Sequence, residues 1–120
     1  MPKVIHFEIS ADNPQRAVKF YTEAFGWQVQ NWGDQPYWLA TTGPESEPGI
    51  NGAIMPREEK RTTVNTISVA SLEEASEKIT MAGGKLTTPR TAVPGIGYFR
   101  YCQDTEGNTF GIMQSDPDAK

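Results

Sequence analysis

His6 is the only histidine in this 120-residue chain, and Glu8 stands two residues along the same extended run, Ile5-His6-Phe7-Glu8-Ile9-Ser10. Side chains of a strand alternate in direction, so the imidazole and the carboxylate share one face while Ile5, Phe7 and Ile9 take the other. Such a pair can move protons, because imidazole titrates near neutrality and an adjacent carboxylate favours its charged form. The same spacing also serves a hydrogen-bonded polar pair with no catalytic duty, or a simple ligand contact. Arg100 is the second residue with chemical potential, as a guanidinium able to hold an anionic or carbonyl-bearing ligand, or else as an exposed edge-strand arginine. Cys102 is the sole cysteine. With no second histidine to activate it, it is expected to be an apolar filler rather than a nucleophile. No phosphate-cradling glycine loop, serine triad or Cys-x-x-Cys pair is present.

The elements that must position these residues come from a repeat. A shift of 58 positions sets Ile9 on Ile67, Ser10 on Ser68, Ala17 on Ala75, Thr22 on Thr80 and Ala24 on Ala82. It continues with Gly26 on Gly84, Pro36 on Pro94, Gly49 on Gly107, Ile54 on Ile112 and Met55 on Met113. These identities run at about three times the rate that average composition would give. In the first half, Asn13-Pro14 reads as N-cap and first helical residue. Ala17, Phe20, Tyr21 and Ala24 then recur at helical spacing, and Gly26 supplies the left-handed terminator. In the second half, the strand Thr66 to Val69 leads to Ser71 with Glu74 three residues on, a capping box, and Gly83-Gly84 closes the helix. Trp27 to Trp32, Tyr37 to Thr42 and Gly52 to Met55 read as strands, as do Lys85 to Thr88, Tyr98 to Gln103 and Thr109 to Gln114. Each half is therefore βαβββ, in an α+β chain. We expect a single domain over 1–120, with repeat units at about 3–56 and 61–114.

The net charge of −4 argues against nucleic acid as a partner, and the basic cluster Arg57, Lys60 and Arg61 is interleaved with Glu58 and Glu59. No apolar run approaches the roughly 20 residues that cross a bilayer, so no membrane association is expected. Nor is a signal peptide apparent at the start, and a lone cysteine fits a reducing cytoplasm.

Together these features resemble the vicinal oxygen chelate superfamily, which includes glyoxalases, bleomycin-resistance proteins and extradiol dioxygenases. His6, a helix carrying Phe20-Tyr21, then Phe25-Gly26-Trp27 are similar to its first phrase. Asp104-Thr105-Glu106-Gly107-Asn108 before Phe110-Gly111-Ile112 is similar to its D-P-x-G-N turn and last strand. The resemblance implies that each βαβββ unit curls into a half-barrel and that two halves enclose a cleft. It places four metal-ligand positions at His6, Ala53, Val64 and Gly111, of which only His6 carries a donor. The expectation is thus a chain with no metal and no other cofactor, acting on or binding a small molecule in an aromatic cleft. His6 and Glu8 would be catalytic if the chain is a lyase or isomerase of small carbonyl compounds. Trp38, Met55, Tyr98, Arg100 and Met113 would contact the ligand, with Tyr98, Arg100 and Cys102 on the cleft face of their strand and Met55 and Met113 pointing into the cup. The family habit of pairing subunits, together with the wealth of aromatics, implies a homodimer.

Overall fold

Asn13 and Ser71 open the two helices in the same way. In the computed structural model, which describes residues 2–120, each adopts an extended backbone. Asn13 Oδ1 accepts the N–H of Arg16 at 3.1 Å, and Ser71 Oγ that of Glu74 at 3.2 Å. Each cap satisfies one of the N–H groups that a helix start leaves without a partner. Helix α1 covers Pro14–Phe25 and α2 covers Leu72–Met81. Gly26 ends α1 in the left-handed region at φ 73°, as expected. The end of α2 falls one residue away from the repeat. Gly83, not Gly84, holds the left-handed turn at φ 99°, while the N–H of Gly84 reaches back to the carbonyl of Ile79 at 2.9 Å. This is a Schellman closure, which needs a residue on each side of the turn, and the second glycine serves there.

Among the described residues nine strands accompany the helices: β1 (Val4–Ala11), β2 (Gln28–Asn31), β3 (Trp38–Thr41), β4 (Gly52–Pro56), β5 (Thr63–Ser68), β6 (Lys85–Leu86), β7 (Thr91–Val93), β8 (Gly97–Gln103) and β9 (Thr109–Ser115). The chain divides into two compact units, one comprising His6–Val64 and the other Asn65–Lys120 with the residues up to Ile5. In the first, the strand order is β2-β3-β4-β1, antiparallel except for the parallel pair β1 and β4. In the second, β5 and β9 are parallel, β9 pairs β8, and β8 takes both β6 and β7 on its far side. The expected strand from Lys85 to Thr88 is therefore shorter than its counterpart, and β7 is an addition to the repeat. Pro89 interrupts the ladder because it has no N–H to give. Across the break, Tyr101 N–H is taken by the Thr88 hydroxyl at 2.9 Å instead of a carbonyl.

Each unit buries its apolar side under its own helix. In the first, Tyr21 of α1 stacks on Trp27 at 4.8 Å and Trp27 meets Phe7 of β1 at 5.9 Å. In the second, Val69, Leu72, Cys102 and Ile112 form the core, flanked by Ile67, Ala75, Ile79, Tyr98 and Phe110. Ile54 and Ile112, superposed by the repeat, are both sealed from solvent.

Candidate functional site

The strand registers decide which side chains share a face. Glu8 lies beside Ala53 and Ser10 beside Met55, while Leu39 of β3 lies beside Ala53. His6, Glu8, Leu39 and Met55 therefore project from the face opposite Phe7 and α1. Tyr37 precedes Leu39 by two residues and joins them there. Its hydroxyl donates to Glu8 Oε2 at 2.7 Å and lies 2.8 Å from His6 Nε2. The result is a continuous hydrogen-bonded chain, His6–Tyr37–Glu8, drawn from two strands.

A phenol has one proton. With that proton given to the Glu8 carboxylate, His6 Nε2 must carry a hydrogen and donate it to the Tyr37 oxygen, which leaves Nδ1 as the basic position of the ring. Burial lowers the His6 pKa below its ordinary value, and the negative charge of Glu8 partly opposes that fall. The ring is therefore neutral at pH 7 and able to accept a proton. Glu8 itself is only 7% exposed, an acceptor held in a largely dry environment.

Of the expected ligand contacts in this unit, Met55 shares the face of His6 and Glu8, as anticipated. Trp38 does not. It lies beside Ile54, on the side of the sheet that carries Phe7 and α1. Tyr37, not its neighbour, stands on the face of His6 and Glu8.

The second unit brings a parallel correction. Arg100 pairs with Ile112, and Cys102 belongs to the core under α2, so Tyr98, Arg100 and Cys102 face the helix. The opposite parity, Phe99, Tyr101 and Gln103, shares its face with Gly111 and Met113. Met113 thus stands on the expected side, and Tyr98 and Arg100 on the other. Arg100 Nη1 donates to Ser76 Oγ of α2 at 3.0 Å. Burial pushes the Cys102 thiol up in pKa, with Arg100 opposing in part, and the thiol stays protonated and unreactive at neutral pH. Asp104 and Asn108 are structural: Asp104 takes the N–H groups of Glu106 and Asn108 and the Asn108 amide, which hold its carboxyl below the usual range.

The ligand positions implied for a metal do not fit one. Ala53 and Val64 are packed out of solvent and have no donor. At Gly111 a Cβ would run into the Phe99 ring and come within 3.2 Å of Thr66 Oγ1. Among the described residues no three of His, Cys, Asp and Glu come together. Two of the donor atoms that His6 and Glu8 offer, Nε2 and Oε2, are engaged on Tyr37. Among the described residues, no helix is long and apolar enough to cross a membrane.

Residues 3–112 match the Glyoxalase/Bleomycin resistance protein/Dioxygenase superfamily. A glyoxylase-like domain-containing protein of Didymella fabae is 32% identical over 112 residues, covering 88% of each chain. Among solved structures, a glyoxalase/bleomycin resistance protein/dioxygenase superfamily member from Vibrio splendidus 12B01 aligns with a TM-score of 0.70 at 13% identity, over 96% of this chain and 100% of that one. A variant of the Streptomyces coelicolor methylmalonyl-CoA epimerase, in complex with 2-nitronate-propionyl-CoA, aligns with a TM-score of 0.64 at 12% identity, over 98% and 97% of the two chains. At such identities these structures are alike in fold.

Proposed function

Since this chain belongs to the glyoxalase/bleomycin resistance protein/dioxygenase superfamily, we propose that it binds a small carbonyl-bearing molecule at the His6–Tyr37–Glu8 face and moves a proton on it without the superfamily's metal. The observation that carries this reading is the hydrogen-bonded chain itself. His6 Nδ1 takes a proton from the carbon next to the carbonyl. The C–H bond breaks, an N–H bond forms, and the electron pair passes onto the carbonyl oxygen. The imidazolium is then held by Nε2–H donation to Tyr37, whose own proton lies on the Glu8 carboxylate, and the proton returns from Nδ1 to the product. Met55 lends this face an adaptable apolar contact. The reaction class is that of an isomerase or lyase, and the protein acts in a reducing compartment as a homodimer.

A second reading, sequestration of a drug or metabolite without turnover, is favoured by the net charge of −4, which would attract a cationic ligand. One experiment separates the two. Thermal stability is followed against methylmalonyl-CoA, the methylglyoxal–glutathione adduct, catechols and cationic antibiotics, since a ligand of the native state stabilises it by mass action. The stabilising compounds are then incubated in deuterated water and watched by NMR. Deuterium entering beside a carbonyl in the wild type, and not in His6→Asn, supports proton transfer. Stabilisation with no exchange in either protein would leave only the binding function.

A further inference from the structure

The face of β8 that turned out to point at α2 opens onto a recess of about 390 Å³, with Arg90, Arg100, Ser76, Glu73 and Gln114 in its wall. Two guanidinium groups line it. Arg90 Cζ lies over the Tyr98 ring, 3.8 Å from its centroid, a cation–π contact that holds the guanidinium while using none of its N–H groups on a hydrogen-bond acceptor. Arg100 gives Nη1 to Ser76 Oγ, and that hydroxyl passes its own proton to the Leu72 carbonyl at 2.7 Å. Its Nε is buried without an acceptor. Among the described residues neither arginine is in an ion pair. A half-buried guanidinium supplied with one neutral acceptor out of a possible five N–H partners is an incomplete arrangement.

The start of α2 does not supply this site, because its N–H groups are already used. Glu74 N–H goes to Ser71, and Leu72 N–H goes to Gln114 Oε1 at 2.8 Å. That second bond turns the Gln114 amide so that its NH2 remains as a further donor. The one opposing group is Glu73, a carboxylate in the same wall. We propose that this recess binds the oxyanion of a small metabolite, a carboxylate or a phosphate, between Arg90 and Arg100. The volume suits a small molecule rather than a bare ion. The site belongs to the unit that lacks His6 and does not depend on the proton-transfer reading.

Inorganic phosphate and succinate are titrated into the full chain by calorimetry at constant ionic strength, with chloride as the control. Saturable binding of either anion to the wild type is expected, the preferred one identifying the ligand's charged group. Arg90 is exposed, so Arg90→Gln should fold normally and weaken binding by about tenfold or more, as loss of a bidentate charged contact does. Glu73→Gln should tighten binding several-fold by removing the repelling charge, a change in the opposite direction that no folding defect would produce. His6→Asn should bind the anion as the wild type does. Absence of saturable binding up to about 10 mM, unchanged affinity in Arg90→Gln, or loss in His6→Asn would each defeat the proposal.

Discussion

Tyr37 is the residue on which the candidate site turns, since it touches both groups singled out by their chemistry. Removing its hydroxyl takes one hydrogen-bond partner each from the buried Glu8 carboxylate and from His6. Tyr37→Phe should therefore destabilise the fold by about 1–3 kcal/mol in urea denaturation, the usual cost of depriving a buried polar group of a partner. His6 makes a separate prediction about pH. Its folded pKa lies below the ordinary histidine value of 6.5, so the unfolded chain binds the proton more readily. The associated stability is fully present above pH 6.5 and is lost as pH falls from there toward the lowered folded value. Denaturation midpoints measured from pH 8 to 5 should fall below pH 6.5 in the wild type and more gently in His6→Asn. Equal slopes in the two proteins would show that burial of His6 is not linked to folding.

The two helix caps test the repeat as physics rather than as pattern. Asn13 and Ser71 each accept one N–H of the following turn from an exposed position. Asn13→Ala and Ser71→Ala should each cost about 1 kcal/mol in chemical denaturation. Helices, turns and most strands were legible because caps and periodicity are written locally. The faces of β3 and β8 were not. Tyr37-Trp38-Leu39-Ala40 and Tyr98-Phe99-Arg100-Tyr101-Cys102 carry large or apolar residues at both parities, and alternation gives no direction where both sides of a strand are covered. The direction is settled by register, Leu39 beside Ala53 and Arg100 beside Ile112, which only the folded pairing fixes. That is why Met55 and Met113 stand on the sides expected of them within their own units, while Trp38 lies across the sheet from His6 and Glu8, and Tyr98 and Arg100 across the sheet from Met113. The short β7 has no clear signal in the sequence, because Pro89 breaks the pattern that would announce it.

At the scale of the whole chain, two consequences of length and surface can be measured. Each repeat is near the size at which a domain is hard to stabilise alone, so the two should unfold together as one domain. Trp27, Trp32 and Trp38 all lie in the first unit, so fluorescence reports on that unit while far-ultraviolet circular dichroism reports on both helices. Coincident urea transitions are the expected result, and separated ones would mean two domains. Association is the second consequence. Phe20 and Phe25 of α1 are 57% and 65% exposed and touch one another edge to face, next to Tyr21 and Trp27. A homodimer covering such rings would bury about 1,200 Å² or more. Sedimentation at micromolar concentration should give twice the 13.3 kDa chain mass, whereas a clean monomer would exclude the homodimer.

Gly111 also bears on what the scaffold can be engineered to do. The place that a ligating side chain would need there is filled by the Phe99 ring, while Ala53 and Val64 are closed in by their neighbours. A carboxylate or imidazole at 111 would have to displace a ring that belongs to the packing, so a substitution there carries a steric cost before it offers a donor. Where a ring fills the room that a new side chain needs, the two positions are coupled, and changes that are each harmful alone can be tolerated together. Directed evolution seeking a metalloenzyme from this scaffold would therefore reach it sooner by first replacing Phe99 with a smaller residue.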